Sequence, residues 1–282
     1  MNILIVVPIY NGLQTALRCL QSLRDVAASN VTAARVLVID DASTDPAAYD
    51  ALADVVVAAS SGNTALTFSL RRNAINRGFT WNVNQAIASL QAGEHLLLLN
   101  SDTIVVDGWL DEICRSAQTD PMIGTVTPFS NNATICSYPD FQQAWPVPEI
   151  ATHRAIAERM RSQRAAPIDI PTGVGFCMLM TRACIDQVGR YDIENFPRGY
   201  GEENDFCMRA LAAGFRNVLC PNTYVAHVGG VSFSEQTKEL MRQGGERLLA
   251  KHPQYNELVS HWIAADPARE RREDIAKLLE QR

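Results

Sequence analysis

The chain has 282 residues, 47% of them hydrophobic and 20% charged, with 16 Gly and 13 Pro; this is ordinary globular composition and excludes disordered, collagen-like and low-complexity architectures. Lys and Arg number 25 against 31 Asp and Glu, a formal charge of -6, so the surface as a whole is a poor partner for nucleic-acid phosphates. The 7 cysteines are scattered and form no C-x-x-C pair, which argues against a disulfide framework or zinc ribbon and for small core residues in a reducing compartment.

Residues 3–7 are a β-branched and Leu run stopped by Pro8, too short for a helix, and predict a buried strand. The same segment lacks the basic start and small-residue cleavage site of a signal peptide, and no later apolar run approaches the ~20 residues of a membrane span. The expectation is a soluble, cytoplasmic protein that touches the inner face of the membrane at most peripherally. Residues 13–26 carry Leu13, Ala16, Leu17, Leu20 and Leu23 at helical spacing. A second strand is predicted at 36–39, ending at Asp40-Asp41, and Asp45-Pro46 start a helix. A strand at 66–70, a helix at 78–90 and a strand at 96–99 follow, the last ending at Asn100-Ser101-Asp102. Asp107 caps a helix over 108–117, and 123–126 form a fifth strand. Residues 129–147 read as loop, 149–164 as a charged helix, 175–180 as an apolar strand and 202–213 as a helix stopped by Gly214. Residues 225–227 end one more strand, and 235–251 and 268–281 form charged tail helices.

Strand–helix alternation of this kind predicts an α/β fold, a mostly parallel central sheet with helices on both faces. Ligands of such sheets bind beyond the carboxyl ends of the strands. Tyr10, Asn11, Asp40, Asp41, Asn100, Ser101 and Asp102 all follow strands directly, so one rim collects polar groups and carboxylates.

There is no G-x-x-x-x-G-K phosphate loop and no G-x-S-x-G elbow, and both Gly173-Val174-Gly175 and Gly199-Tyr200-Gly201 lack the third Gly of a dinucleotide turn. Asp40-Asp41 reads equally as a capping turn or as an acceptor for the imide N–H of a pyrimidine base. Asp102 is either an Asx turn or an oxygen ligand for Mg2+ or Mn2+ carried on a diphosphate. Asp205 and Arg209 form an i,i+4 pair with a structural role. Glu203 shares its helical face with Phe206, Cys207, Ala210 and Leu211; desolvation there, and the neighbouring Glu202, raise its pKa and suit it to general-base work. His227, before Gly229-Gly230, is either a satisfied core histidine or the partner of Asp102 at a cation. Arg71 and Arg72 read as solvated surface, with phosphate contact as the alternative.

Taken in order, these residues resemble the inverting glycosyltransferases of family 2, which have the GT-A fold. The likeness covers about residues 2–230 and is similar to the bacterial rhamnosyltransferase-like members. Pro8-Ile9-Tyr10-Asn11 resembles the opening nucleotide-binding turn and Asp40-Asp41-Ala42-Ser43-Thr44-Asp45 the base-binding element. Asn76-Arg77-Gly78-Phe79 is similar to the N-x-G-F segment, and Asn84 to the Asn of the following helix. Asn100-Ser101-Asp102 stands at the D-x-D position, where Asp102 is the one acidic ligand. Gly201-Glu202-Glu203-Asn204-Asp205 is similar to the E-D-x-D element; Glu203 stands where Asp is common, and Glu202 is the alternative base.

The resemblance implies a single Rossmann-like GT-A domain over 1–230, with a nucleotide-sugar half at 1–128, an acceptor half at 129–230 and a C-terminal helical extension at 231–282. It implies transfer from a UDP-, dTDP- or GDP-linked sugar to a hydroxyl of a glycan or lipid-linked acceptor, in bacterial surface polysaccharide or glycan assembly, with rhamnose a plausible donor sugar. Pro8, Tyr10, Asn11, Asp40, Asp41, Asn76, Gly78, Asn84, Asn100, Ser101 and Asp102 would bind the donor, and Asp102 with His227 a Mn2+ or Mg2+ ion. Glu203 or Glu202 would be the base, and Gly173, Gly175, Phe176 and Gly201 would line the acceptor side. The competing readings are a nucleotidyltransferase, whose Gly-rich basic turn is missing here, and a catalytically silent sugar-binding module of the same fold.

Overall fold

The computed structural model describes residues 1–60, 65–229 and 235–280. Its first half alternates strand and helix: β1 (Asn2–Ile9), α1 (Leu13–Val26), β2 (Ala34–Asp40), α2 (Ala48–Ser60), β3 (Leu66–Arg72), α3 (Phe79–Ala88) and β4 (Glu94–Leu99). A short strand β5 (Thr103–Ile104), α4 (Trp109–Ala117) and β6 (Ile123–Phe129) follow. Then come a 3-10 turn at Thr134–Cys136, α5 (Ile150–Ser162), β7 (Ile168–Asp169), β8 (Cys177–Met180), α6 (Arg182–Val188), α7 (Glu202–Ala212), β9 (Arg216–Tyr224) and β10 (Ala226–His227). The chain continues in α8 (Glu235–Lys251), α9 (Tyr255–Ala265) and α10 (Arg269–Glu280).

Uninterrupted apolar strands bury both faces. In β1, Ile3, Ile5, Val7 and Ile9 pack with Cys19, Leu20 and Leu23 of α1 on one side. Leu4 and Val6 pack with Val83, Ala86 and Ile87 of α3 on the other. That two-sided burial is why the strand reads as a continuous run rather than an alternation. The same division holds in β4, where Leu97 and Leu99 join the first cluster and Leu96 and Leu98 the second. All seven cysteines are buried and free. Among the described residues no helix is long and apolar enough to cross a membrane.

The main sheet runs β3-β2-β1-β4-β8-β6-β9-β7. β3, β2, β1 and β4 are parallel, as are β6 and β9; β8 lies antiparallel between β4 and β6, and β7 edges β9. The chain order moves outward from β1 through β2 to β3, then returns to β4 on the other side. The reversal opens a crevice at the carboxyl ends of β1 and β4, where ligands of open α/β sheets bind.

A strand does end at His227, as expected: Ala226–His227 are β10, antiparallel to Thr103–Ile104 of β5, while the longer strand β9 before it was not expected. Hydropathy hides β9 because buried Asn217 and Asn222 interrupt it. Their amides are satisfied by Thr125, Pro171, Cys207 and Ala165, which makes polar residues affordable inside a sheet. Helix α6, capped by Thr181 on the Cys184 N–H, and α9 are further elements not expected. Gly108, with φ of 75°, occupies the N-cap of α4 without a side-chain bond, while Asp107 accepts from the Ser29 hydroxyl at 2.7 Å, so Asp107 is not the cap. The boundary expected at 230/231 and the last residue of the helix expected over 268–281 lie outside the described residues.

Candidate active site

A cleft of about 780 Å3 opens at the carboxyl ends of β1 and β4. Its floor carries Pro8 near the end of β1, Tyr10 and Asn11 after β1, Asp41 after β2, Asn76 and Gly78 before α3, and Ser101 and Asp102 after β4. A second cavity of about 500 Å3 lies at the opposite sheet edge, before β6 and β9. Its three arginines are paired, Arg115 and Arg164 with Glu112 and Arg216 with Asp120 and Asp169.

The turn after β1 is locked to the turn after β2. Asn11, in the left-handed region at φ 61°, donates its N–H to Ser43 Oγ at 2.9 Å and accepts from the Thr44 N–H at 2.9 Å. Asp41, 2% exposed, accepts from Asn73 Nδ2 at 2.7 Å and from the N–H groups of Arg77 and Gly78 at 2.9 and 2.8 Å. A carboxylate has about four lone-pair sites, so one acceptor position stays available. Gly78 is required there: φ is 86°, and a Cβ would lie 2.9 Å from the Pro197 carbonyl oxygen.

Asp102 and His227 meet where β5 pairs with β10. His227 Nε2 lies 3.3 Å from Asp102 Oδ1, while His227 Nδ1 faces the Asn132 carbonyl at 2.8 Å. Asp102 also accepts from the Gly229 N–H at 3.1 Å, and its carbonyl from the Val228 N–H at 2.9 Å. Burial works against both charges. The His227 hydrogen bond nevertheless holds the Asp102 carboxyl below its ordinary range, and Asp102 lifts the imidazole above its own. With the Nδ1 proton held by the backbone carbonyl, Nε2 would offer its lone pair beside a carboxylate oxygen once a cation displaces the proton it shares with Asp102. Such a hard O,N pair suits Mn2+ or Mg2+ whose other ligands are diphosphate oxygens and water. Among the described residues no group of three or more His, Cys, Asp or Glu side chains is placed to hold a metal.

Glu202 and Glu203 open α7. Glu202 is buried at 4% exposure and each carboxyl has one oxygen without a hydrogen-bond partner. Burial first, then the neighbouring glutamate, pushes Glu202 well above the usual carboxylate range; burial raises Glu203 too, against the pull of helix N–H groups. Glu203 lies along Gly175, where a Cβ would sit 3.7 Å from its Cγ and Cδ. The next residue, Phe176, stacks on His227 with centroids 5.1 Å apart, and its carbonyl accepts from the Asn100 N–H at 2.7 Å. A desolvated carboxyl is thereby joined to the Asp102–His227 pair through two consecutive residues.

The other expected residues are placed as follows. Asp40 is wholly buried behind the cleft, accepting from the Ser43 N–H at 2.9 Å and ion-paired with Arg72 at 3.3 Å. Asn84 exchanges two hydrogen bonds of 2.9 Å with the Tyr191 backbone and ties α3 to that loop. Asn100 holds the end of β4, its Oδ1 buried and unpartnered. Gly173, Phe176 and Gly201 are buried in packing contacts, and Gly175 is half-buried against Glu203. His227, Glu202 and Glu203 do not line the cleft. Arg71 and Arg77 lie over Trp81 at 5.9 and 5.7 Å.

The segment before Gly201, a candidate wall from the sequence, does line the cleft, and α8 adds a wall that sequence reasoning missed. Arg198 and Tyr200 line it from the loop before α7, and Thr237, Leu240 and Met241 line it from α8. Arg198 is the one Lys or Arg among the lining residues. Helix α8 is clamped down at several points. A Cβ on Gly244 would overlap the Tyr200 carbonyl oxygen, and Arg247 Nη1 donates to the Asn195 carbonyl at 2.8 Å. At its end Lys251 and His252 reach buried Asp205 at 2.6 and 2.9 Å, where Arg209 also pairs at 2.8 Å.

The profile of the family described as Glycosyltransferase like family 2 matches residues 2–246. The chain belongs to that family. No curated protein matches this family 2 chain. Among solved structures, the mannosyltransferase PcManGT from Pyrobaculum calidifontis, in complex with GDP-Man and Mn2+, is similar at TM-score 0.64 and 14% identity, over 99% of this chain and 74% of its own. GalNAc-T7 with UDP, GalNAc and Mn2+ is similar at TM-score 0.59 and 17% identity, over 98% of this chain and 54% of its own. S. aureus TarS 1-349 in complex with UDP is similar at TM-score 0.57 and 16% identity, over 93% of this chain and 71% of its own. At these identities the likeness is one of fold, and the fold is GT-A.

Proposed function

We propose that this family 2 glycosyltransferase moves a sugar from a nucleoside-diphosphate donor to an acceptor hydroxyl, in one displacement that inverts the anomeric carbon. The observation that supports this most is the relay Glu203–Gly175–Phe176–His227–Asp102, which links a proton-accepting group to a cation-ready pair beside the cleft. The base end of the donor lies against Pro8, Tyr10 and Asp41, and its diphosphate toward Ser101, Asp102 and Arg198. Asp102 and His227 would hold a divalent cation, Mn2+ or Mg2+, whose charge offsets that developing on the leaving diphosphate.

Glu203 takes the proton of the acceptor hydroxyl while that oxygen attacks the anomeric carbon from the face opposite the leaving group. The carbon–oxygen bond to the diphosphate breaks, and its electron pair departs with the diphosphate. A carboxyl lifted above its ordinary range is a better-matched base near neutral pH. Glu202 remains the alternative base. The acceptor is a glycan or lipid-linked hydroxyl, as in bacterial surface polysaccharide assembly, and it approaches along Gly175.

A thermal-shift screen of UDP, GDP, dTDP and CDP with and without Mn2+ should select one base, since a ligand of the native state raises its apparent stability. The matching nucleotide sugar with Mn2+ should then release nucleoside diphosphate and yield product of inverted anomeric configuration by NMR. Pyrophosphate release, or retained configuration, would refute the reading.

A further inference from the structure

We infer that Asn131 is a positioning residue for the cation site, its amide holding the main chain of His227 in the register that brings the imidazole to Asp102. This rests on the cation reading above. Asn131 follows β6, is 2% exposed and does not line the cleft. Its Oδ1 accepts from the His227 N–H at 2.8 Å, and its Nδ2 donates to the His227 carbonyl at 2.9 Å and to the Trp145 carbonyl at 2.9 Å. The Asn131 carbonyl accepts in turn from the Trp145 N–H at 2.9 Å. The next peptide, Asn132, supplies the carbonyl facing His227 Nδ1 at 2.8 Å.

The geometry gives this amide a specific task. Strand β10 is two residues long and pairs with a strand equally short, an arrangement with little stability of its own. β5 occupies one edge of β10. Asn131 binds both main-chain polar groups of His227 as an adjoining strand would. Sliding β10 by one residue would send the imidazole to the other side of the ribbon. The peptide after Asn131 orients the ring and directs the proton to Nδ1, so Nε2 is left to face Asp102.

The test uses the full chain with Mn2+ and the nucleoside diphosphate selected above, read from the factor by which Mn2+ tightens nucleotide binding in calorimetry. Asn131→Ala and the milder Asn131→Ser should reduce that factor by about 10–100-fold, the usual cost of losing a residue that supports a metal ligand. In a His227→Ala background, Asn131→Ser should add no further loss, because the two residues act on one ligand. A wild-type factor in folded Asn131→Ser, or an equal loss with and without His227, overturns the inference. The wild-type chain gives an independent reading: 15N resonances of the His227 ring should report the proton on Nδ1, and a proton on Nε2 alone would overturn it whatever the variants do. Wild-type protein whose nucleotide binding Mn2+ does not tighten overturns the cation reading itself, and this inference with it; normal tightening unchanged in Asn131→Ser overturns this inference alone.

Discussion

Two pairs of adjacent acids, Asp40-Asp41 and Glu202-Glu203, look alike in sequence and are built in opposite ways. The aspartates are compensated: Asp40 takes the Ser43 N–H and an ion pair with Arg72, though its Oδ2 has no hydrogen-bond partner, and Asp41 takes Asn73 with two main-chain N–H groups. Glu202 is buried and Glu203 half-buried, each with one buried and unpartnered oxygen, and among the described residues no Lys or Arg pairs with either. The first pair is a fixed acceptor suited to recognition; the second is suited to moving a proton. What separates them is a side-chain partner: Arg72 stands beside Asp40 and Asn73 beside Asp41, whereas the glutamates have only helix N–H groups and each other.

Glu203→Gln should break the proton-moving side hardest. Turnover should fall about 10²–10⁴-fold with donor affinity kept by calorimetry, and unchanged turnover would remove Glu203 from the chemistry. In the unmodified chain, turnover should rise with pH through an apparent pKa above the ordinary carboxylate range, because burial lifts Glu203 and only its deprotonated form is a base. That limb should vanish in Glu203→Gln. Asp102→Ala should abolish the tightening of nucleotide binding by Mn2+, a loss at least as large as the ~10–100-fold that supporting residues carry. Undiminished Mn2+-dependent affinity would refute its role.

On the recognition side, Asp41→Asn should cost about 1–3 kcal/mol in chemical denaturation, because three donors converge on the carboxylate and the new NH2 cannot accept them. No loss would mean that the turn tolerates an unsatisfied donor. Glu202→Gln should act in the opposite direction. The native state raises this carboxyl above its ordinary value of 4.5, so it binds the proton more tightly than the unfolded chain does. Stability therefore declines as pH climbs from near that ordinary value through the raised one. A neutral amide escapes the decline, and melting should rise by about 2 °C at pH 8, the order that 1 kcal/mol gives, with the gain shrinking to nothing at pH 4. A melting point that falls at pH 8 would contradict the assignment.

Legibility along the chain tracks the same physics. The β1–β4 half was readable because its strands are apolar on both faces and their polar ends announce the rim. The ordered motifs from Pro8 to His227 carried the family resemblance, which the family match over residues 2–246 bears out. β9 was not readable, since Asn217 and Asn222 are satisfied by partners distant in sequence. Helix α8 was seen as an element, but its charged pattern is that of a solvated surface and carries no sign that Leu240 and Met241 face the cleft. Arg198 and Asn131 sit in loops whose local sequence resembles any turn, and only folding reveals what they touch.

The clamp on α8 has a consequence during synthesis. The cleft gains its last wall at Met241, and the helix supplying it is held by Lys251 and His252 against Asp205. A nascent chain still on the ribosome, with these residues in the exit tunnel, therefore lacks the clamp that holds the α8 wall against Asp205.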